Sequence, residues 1–94
     1  MRTWDAAAER WLEDRFDKTT IDQDRSKLEW LSTHLSPYAL REINGDVLRA
    51  VVRARLAEGS GRSTVNRYMA LVRSILRRAV RVWEWLDKAP YVPM

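Results

Sequence analysis

Apolar residues recur along the chain at intervals of three and four positions, which is the spacing that places side chains on one face of an α-helix. No stretch bounded by turn residues alternates apolar and polar positions in the two-residue period of a strand. The pattern therefore predicts an all-α domain, and prolines, glycines and capping residues divide it into four helices.

The first two helices have clear start and stop signals. Thr3 is the expected N-cap of the first, and Thr20-Ile21-Asp22-Gln23 fits a capping box that begins the second. Ser36-Pro37 ends the second helix, because proline disfavours helical geometry in the residue before it. The predicted inward stripes are Trp4, Ala8, Trp11, Leu12 and Phe16 in the first helix, and Ile21, Leu28, Leu31 and Leu35 in the second.

A short loop leads to the third helix, which Asn44 or Asp46 is expected to cap. Gly59-Ser60-Gly61 ends it, since glycine suits the left-handed turn past a helix C-terminus. The residues predicted to point into the core are Tyr38, Leu40 and Ile43 in the loop, and Leu48, Val51, Val52 and Leu56 in the helix.

The fourth helix is the longest and is predicted to run from an N-cap at Ser63 to about Val82. Its apolar side chains fall within one arc of roughly 120° on a helical wheel, as a core-facing helix requires. They are Val65, Tyr68, Met69, Val72, Ile75, Leu76 and Ala79. In the tail that follows, Trp83, Trp85 and Leu86 are expected to close one end of a compact four-helix bundle.

Charge is unevenly distributed along the chain. The formal net charge is +4, but residues 1–46 carry seven Lys or Arg and ten Asp or Glu, whereas residues 47–94 carry ten and three. The basic second half predicts a polyanionic partner. The absence of cysteine excludes disulfides and thiolate metal sites. The N-terminus carries acids where a signal peptide needs an apolar run, and no apolar run is long enough to span a membrane, which predicts a cytoplasmic protein with no membrane partner. No cofactor and no small-molecule ligand are expected.

The basic residues of the second half concentrate on the fourth helix. Residues 61–81, GRSTVNRYMALVRSILRRAVR, contain six arginines and no acid. Like charges four positions apart destabilise a helix by about 0.2–0.5 kcal/mol, so helix stability does not explain Arg73, Arg77 and Arg81. The planar fork of arginine matches phosphate and the guanine edge. We call the polar side of this helix the arginine face: Ser63, Asn66, Arg67, Ala70, Arg73, Ser74, Arg77, Arg78 and Arg81. It favours a nucleic-acid partner, with an ordinary solvated face, an acidic protein or a membrane surface as alternatives.

The N-terminal turn of the same helix adds a second signal. Backbone N–H groups and the positive end of the helix dipole make such a turn a ready phosphate site, and a major groove is wide enough to admit it. Ser63 as a simple N-cap and Asn66 as a surface residue are the structural alternatives. The polar residues around this turn are Arg62, Ser63, Thr64, Asn66 and Arg67.

The second helix also carries polar residues away from its apolar stripe, namely Gln23, Ser26, Lys27, Trp30 and Thr33. Trp30 is expected to pack against the C-terminal tryptophans, and stacking on a sugar or partner is the alternative.

Other candidate chemistry has a simpler structural explanation. His34 is expected to be a surface residue or a partner of the helix dipole, because no cysteine or second histidine accompanies it as a metal ligand. The acids of the first helix are expected to form a solvated face rather than a carboxylate active site. They are Glu9, Glu13, Asp14 and Asp17.

The run GRSTVNRYMALVRSILRRAVRVWEWLDKAP resembles the N-terminal core-binding (SAM-like) domain of phage-type tyrosine recombinases, or integrases, in its TVNR stretch, its long helix and its W-x-W-L…P close. The segments LEWLSTHLSPYALREI and RARLAEGSGRS occur upstream in the same order. The resemblance implies a domain that grips a recombination core site in double-stranded DNA, with its second and fourth helices toward the major groove. Together with the arginine pattern, it implies DNA contacts from Gln23, Ser26, Lys27, Arg62, Ser63, Thr64, Asn66, Arg67, Arg73, Ser74, Arg77 and Arg81.

The chain departs from the family in its catalytic residues. Such recombinases cut DNA with a tyrosine nucleophile and a His-x-x-Arg element in a second domain. Here His34 is followed by Leu35-Ser36-Pro37, and Tyr38, Tyr68 and Tyr91 are more simply structural. The chain is therefore expected to lack enzymatic activity.

The resemblance also predicts how the chain relates to a larger protein. Residues 1–90 are expected to be a core-binding domain, and residues 91–94 the start of a linker to an absent catalytic domain. The parent would be a bacterial or prophage-encoded tyrosine recombinase that assembles as an oligomer on DNA, while the isolated domain is expected to be monomeric.

A second hypothesis comes from a different functional class. The arginine face and the tryptophans Trp83 and Trp85 would form a helical protein-interaction module that docks an acidic partner or assembles a larger complex, since arginine and aromatic residues are enriched at interfaces. The two hypotheses differ in whether replacing Arg73 and Arg77 with Ala weakens DNA binding.

Overall fold

The computed structural model describes residues 2–15, 19 and 21–93. Over this part of the chain the protein consists of four α-helices and one short 3-10 helix, and only an isolated bridge between Thr3 and Ala39 has β-type pairing. The all-α prediction is confirmed. None of the described helices has the length and apolarity needed to cross a membrane. The helices are α1 (Trp4–Asp14), α2 (Ile21–Leu35), α3 (Gly45–Ala57) and α4 (Arg62–Arg81), with the 3-10 helix at Leu40–Glu42.

Two helices begin at side-chain caps that the sequence predicts. The Thr3 hydroxyl accepts a hydrogen bond from the backbone N–H of Ala6 at 3.2 Å, and the Asn44 side chain accepts one from Val47 at 3.0 Å. Asn44, rather than Asp46, is therefore the cap of α3. The predicted cap at Thr20 and the core position at Phe16 lie outside the described residues.

The start of α4 differs from the prediction. Gly61 is its N-cap, and the Gly61 carbonyl accepts the first helical hydrogen bond from Val65 at 3.1 Å. Ser63 lies inside the first turn and is exposed, so it is not the cap. Gly61 has the extended backbone of an N-cap. Two residues earlier, Gly59 has the left-handed backbone (φ 93°) that ends α3.

The core is built around one face of α4. All seven predicted apolar positions of this helix are buried, and Leu71 extends the buried arc on the side where α1 and α2 pack. From the other helices the core receives Trp4, Ala7, Ala8 and Trp11 of α1, Leu28, Leu31 and Leu35 of α2, and Leu48 and Val51 of α3. The predicted loop residues Leu40 and Ile43 are also buried, and Tyr38 is packed at the edge.

Leu56 is not a core residue, contrary to the prediction. It is 41% exposed, because it lies in the last turn of α3 beside an open hollow that none of the described helices covers. Ile21, at the start of α2, is only partly buried. Val52, one turn earlier, is partly buried against the core.

The C-terminal tryptophans close one end of the bundle, as expected. Trp83 is 8% exposed, and its ring lies 4.9 Å from that of Trp85. The guanidinium of Arg2 stacks on Trp85 at 4.3 Å. These rings are therefore used inside the fold, against the N-terminal segment and α1.

Trp30 does not pack against those tryptophans. Its ring contacts Tyr68 edge-on at 5.6 Å, and its indole N–H donates to both carboxylate oxygens of Glu58 at 3.1 Å. The C-terminal tryptophans are occupied by α1 and Arg2, whereas Trp30 braces α2 against α3 and α4. His34, one turn further along α2, lies 4.5 Å from Trp30 between ring centroids.

Candidate nucleic-acid interface

The polar side of α4 divides into two flanks, each beside a different neighbour. Toward α2 and α1 lie Thr64, Arg67, Ser74, Arg78 and Arg81, spaced as one straight stripe along the helix. Arg62, Asn66, Arg73 and Arg77 form the other flank, which borders the C-terminal tail. The single arginine face of the sequence is thus two neighbouring surfaces in the structure.

Five residues that the sequence nominates on separate helices meet in one groove. The N-terminal halves of α2 and α4 border an open groove with a volume of about 450 Å³, which we call the α2/α4 groove. Gln23, Ser26 and Lys27 reach it from α2, and Thr64 and Arg67 from α4. Their side chains offer amide, hydroxyl, ammonium and guanidinium donors at one place.

The α2/α4 groove has an excess of positive charge. Its lining contains Lys27 and Arg67 and one acid, Asp22, whose carboxylate is 3.4 Å from a guanidinium nitrogen of Arg25. Tyr68 is the aromatic residue of the lining, and the Lys27 ammonium lies 5.9 Å from its ring centroid. The sequence pattern predicts Tyr68 as a core residue, and its 9% exposure confirms that prediction. Its second position, in the lining of the groove, is not indicated by the pattern.

A brace behind the groove fixes the position of Tyr68. The Arg55 guanidinium lies 4.6 Å from the Tyr68 ring and 5.0 Å from the Trp30 ring. Arg55 also forms a 3.2 Å ion pair with Glu58, which accepts the Trp30 N–H. Side chains of α2, α3 and α4 therefore hold the groove in one shape. Trp30 belongs to this brace, and these contacts give no support to stacking on a sugar or partner, the alternative role considered for it.

Four of the other predicted residues lie outside the groove, beside the C-terminal tail. Arg73 and Arg77 border a hollow of about 460 Å³ together with tail residues 89–92. Arg62 and Asn66 border a smaller hollow of about 230 Å³ that Val52, Leu56 and Pro93 also line. Ser63 is exposed on the first turn of α4. The structure thus brings together only part of the predicted set.

A third hollow of about 320 Å³ lies between α4 and the C-terminal end of α1. Ser74, Arg77 and Arg81 line it with two arginines that the predicted set omits, Arg15 and Arg78. Periodicity alone could not place Arg15 there, because its position depends on how α1 packs across α4.

The acids of α1 do not all behave as a solvated face. Glu9 and Glu13 are exposed, and Asp17 lies outside the described residues. Asp14 accepts hydrogen bonds from the Trp83 indole at 2.9 Å and from Arg10 at 3.2 Å. Burial opposes ionisation of this carboxyl, but these hydrogen bonds and the charges of Arg10 and Arg78 outweigh it and hold the pKa of Asp14 below its ordinary value.

Known proteins resemble the chain over most of its length. Residues 9–82 match the family described as phage integrase, N-terminal SAM-like domain. The integrase of Salmonella phage P22 is 22% identical over 116 residues, an alignment that covers 96% of this chain and 30% of that integrase. The chain therefore spans less than a third of the length of this curated relative. No solved structure matches it.

Proposed function

Since the chain belongs to the family of phage integrase N-terminal SAM-like domains and is thus a module of a site-specific recombinase, we propose that it binds double-stranded DNA at a recombination core site. Helices α2 and α4 face the DNA. The α2/α4 groove is the centre of the contact, and the arginine face extends it along the backbone.

One observation carries the proposal. Gln23, Ser26 and Lys27 are separated from Thr64 and Arg67 by about 40 positions of sequence, yet both sets line the same groove. The two sets belong to different helices, and the packing of α2 against α4 brings them to one place. The convergence of an amide, two hydroxyls, an ammonium and a guanidinium in one groove supports a shared binding role.

The chemistry of the groove fits duplex DNA. Gln and Arg side chains pair with adenine and guanine edges in the major groove, and the hydroxyls and ammonium suit phosphate oxygens. We assign base contacts to Gln23, Ser63, Thr64, Asn66 and Arg67, and phosphate contacts to Ser26, Lys27 and Arg62. Further along α4, Arg73, Ser74, Arg77 and Arg81 contact the backbone.

The proposal extends to the parent protein. It is a tyrosine recombinase that supports DNA integration and assembles as an oligomer on its site, with catalysis in a domain beyond residues 91–94. The isolated chain is a monomer whose affinity is modest, because a single small module buries only about 600–1,000 Å² on DNA.

The alternative function, docking of an acidic protein, keeps only part of its basis. Trp83 is buried, and Trp85 is partly buried and packed against Arg2, so the fold already uses both rings. The arginine face is the remaining basis for this alternative, and measuring whether it binds DNA distinguishes the two functions.

The test is the salt dependence of affinity for a short mixed-sequence duplex, measured by fluorescence anisotropy. The logarithm of affinity falls with the logarithm of salt concentration at about 0.9 per phosphate neutralised, so three to five contacts predict a slope of about −3 to −4. A slope near zero contradicts the proposal.

A pair of variants with equal charge loss locates the contact. Lys27→Ala combined with Arg67→Ala removes both groove cations, and the slope should become shallower by up to about 1.8. Arg41→Ala combined with Arg53→Ala removes two exposed cations outside the groove and should leave the slope unchanged. Equal effects of the two double variants would reduce the binding to general charge attraction and contradict a groove-centred interface.

A further inference from the structure

The hollow between the C-terminal ends of α1 and α4 collects an unusual density of positive charge. Four arginines from two helices line it, and no acid does so among the described residues. Its lining consists of Trp11, Arg15, Ser74, Arg77, Arg78, Arg81 and Val82. Like charges this close repel one another, so the arrangement costs stability unless an anion offsets it.

Two of these guanidinium groups carry buried donors that make no hydrogen bond among the described residues, although Arg78 Nε has a 3.8 Å ion-pair contact with Asp14. The Nε atoms of Arg15 and Arg78 are inaccessible to solvent and have no hydrogen-bond acceptor among the described residues. Buried polar groups in proteins are nearly always hydrogen-bonded, because an unsatisfied buried donor destabilises the fold. The hollow thus has donor capacity that the described part of the chain leaves unused.

Both side chains are held in place by the same ring. The Arg15 guanidinium lies 4.5 Å from the Trp11 ring centroid, and that of Arg78 lies 5.9 Å from it. Trp11 is itself fixed by its indole N–H, which donates to Asp24 at 3.0 Å. A ligand would therefore find these two cations already positioned, which reduces the entropy cost of binding.

The carboxylate of Asp14 does not neutralise the hollow. Asp14 Oδ2 lies 3.8 Å from Arg78 Nε, but the same carboxylate also accepts from Trp83 and Arg10. One shared negative charge stands against the four arginines of the lining, and a positive excess remains.

The hollow is also aligned with the α2/α4 groove. Thr64 and Arg67 of the groove and Ser74, Arg78 and Arg81 of the hollow lie on one flank of α4. Between 7 and 17 residues separate members of the two sites, a rise of about 10–26 Å along the helix. The width of the DNA major groove, about 12 Å, falls within this range, so a helix end inserted into the major groove leaves the hollow near a phosphate backbone.

We propose that this hollow binds a backbone phosphate of duplex DNA, with Arg15 and Arg78 as phosphate contacts in addition to Ser74, Arg77 and Arg81. The inference rests on the proposed function and extends the interface to α1, which the sequence does not nominate. Guanidinium groups bind phosphate oxygens bidentately, and the Ser74 hydroxyl supplies a further donor. The unused Nε–H groups of Arg15 and Arg78 point to this ligand chemistry.

The test compares Arg15→Gln with Arg53→Gln. Both remove one positive charge, and Arg53 is an exposed residue of α3. If Arg15 contacts a phosphate, the salt slope for a mixed-sequence duplex becomes shallower by about 0.9 in Arg15→Gln and stays unchanged in Arg53→Gln. Equal slopes in the two variants, with the wild-type protein still binding DNA, overturn the inference and leave the proposed function intact. A wild-type protein that does not bind the duplex overturns both.

A measurement on the wild-type protein guards against loss of folding in the variant. The Nε–H signals of Arg15 and Arg78 are followed by ¹⁵N NMR during separate titrations with the duplex and with inorganic phosphate at constant ionic strength. The inference predicts that the duplex shifts both signals. Shifts with inorganic phosphate alone would identify a free-anion site and contradict a DNA contact.

Discussion

The indole N–H of Trp83 donates a 2.9 Å hydrogen bond to Oδ2 of Asp14, a residue 69 positions earlier in the chain. This bond ties the end of α1 to the segment that follows α4. Arg10 and Arg78 lie close to the same carboxylate. Asp14 therefore connects α1, α4 and the segment after α4 beside the arginine-lined hollow between α1 and α4.

Asp14→Asn is expected to destabilise the fold by about 1 kcal/mol at neutral pH, because the amide keeps an acceptor for Trp83 but loses the charge. The folded-state pKa of Asp14 lies below 3.8, so its charge contributes stability above that value and the contribution is lost as pH falls below it. Urea unfolding of both proteins should therefore show a difference that shrinks in strong acid. A difference independent of pH would contradict this role.

Leu48 and Leu56 share α3 but should respond differently to truncation. Leu48 is fully buried, and Leu48→Ala is expected to cost about 2–5 kcal/mol. Leu56 is largely exposed, and Leu56→Ala should cost less than about 1 kcal/mol. Chemical unfolding of the two variants measures the contrast, and similar losses would show that Leu56 is a core residue after all.

The helix caps give a second matched comparison. Asn44→Ala removes the hydrogen bond to the Val47 N–H and is expected to cost about 1 kcal/mol. Ser63→Ala should change stability by less than about 0.5 kcal/mol, because Gly61 caps α4 through its backbone. Thermal unfolding distinguishes them, and a loss at Ser63 as large as at Asn44 would contradict the observed start of α4.

Most of the fold could be predicted from the sequence because the helices are amphipathic and have clear start and stop signals. The buried positions of α4 follow from its 3.6-residue period alone. Errors occur where a residue's neighbours come from elsewhere in the chain. Leu56 fits the apolar period of α3, but no element in the described part of the chain covers the last turn. Glu58, the partner of Trp30, is 28 positions away, and no local pattern indicates that contact.

The candidate site shows the same contrast between what local sequence pattern predicts and what depends on distant residues. Residue type and spacing identify the cations and polar residues of α2 and α4, but only the packing of the two helices shows which of them share a groove. Arg15 has no sequence signal, since its role depends on the crossing of α1 over α4. Arg62 and Asn66 are adjacent to the groove residues in sequence, yet they lie on the opposite flank because successive residues turn about 100° around the helix axis.

The brace behind the groove can be measured by a double-mutant cycle. Trp30→Phe keeps the ring contact with Tyr68 but removes the indole donor, and Glu58→Gln weakens the acceptor. The two changes should couple by about 0.5–1.5 kcal/mol in the free energy of unfolding. Additive effects would show that the 3.1 Å hydrogen bond contributes nothing to holding α2 against α3.

The central claim is that α2 and α4 bind double-stranded DNA, and an NMR titration tests it most directly. Uniformly ¹⁵N-labelled protein is titrated with a mixed-sequence duplex and, separately, with heparin, at two salt concentrations. The account predicts that duplex shifts concentrate on residues 22–27 and 62–81, exceed those caused by heparin, and weaken as salt increases. Equal shifts with heparin, or duplex shifts that miss the α2/α4 groove, would contradict it.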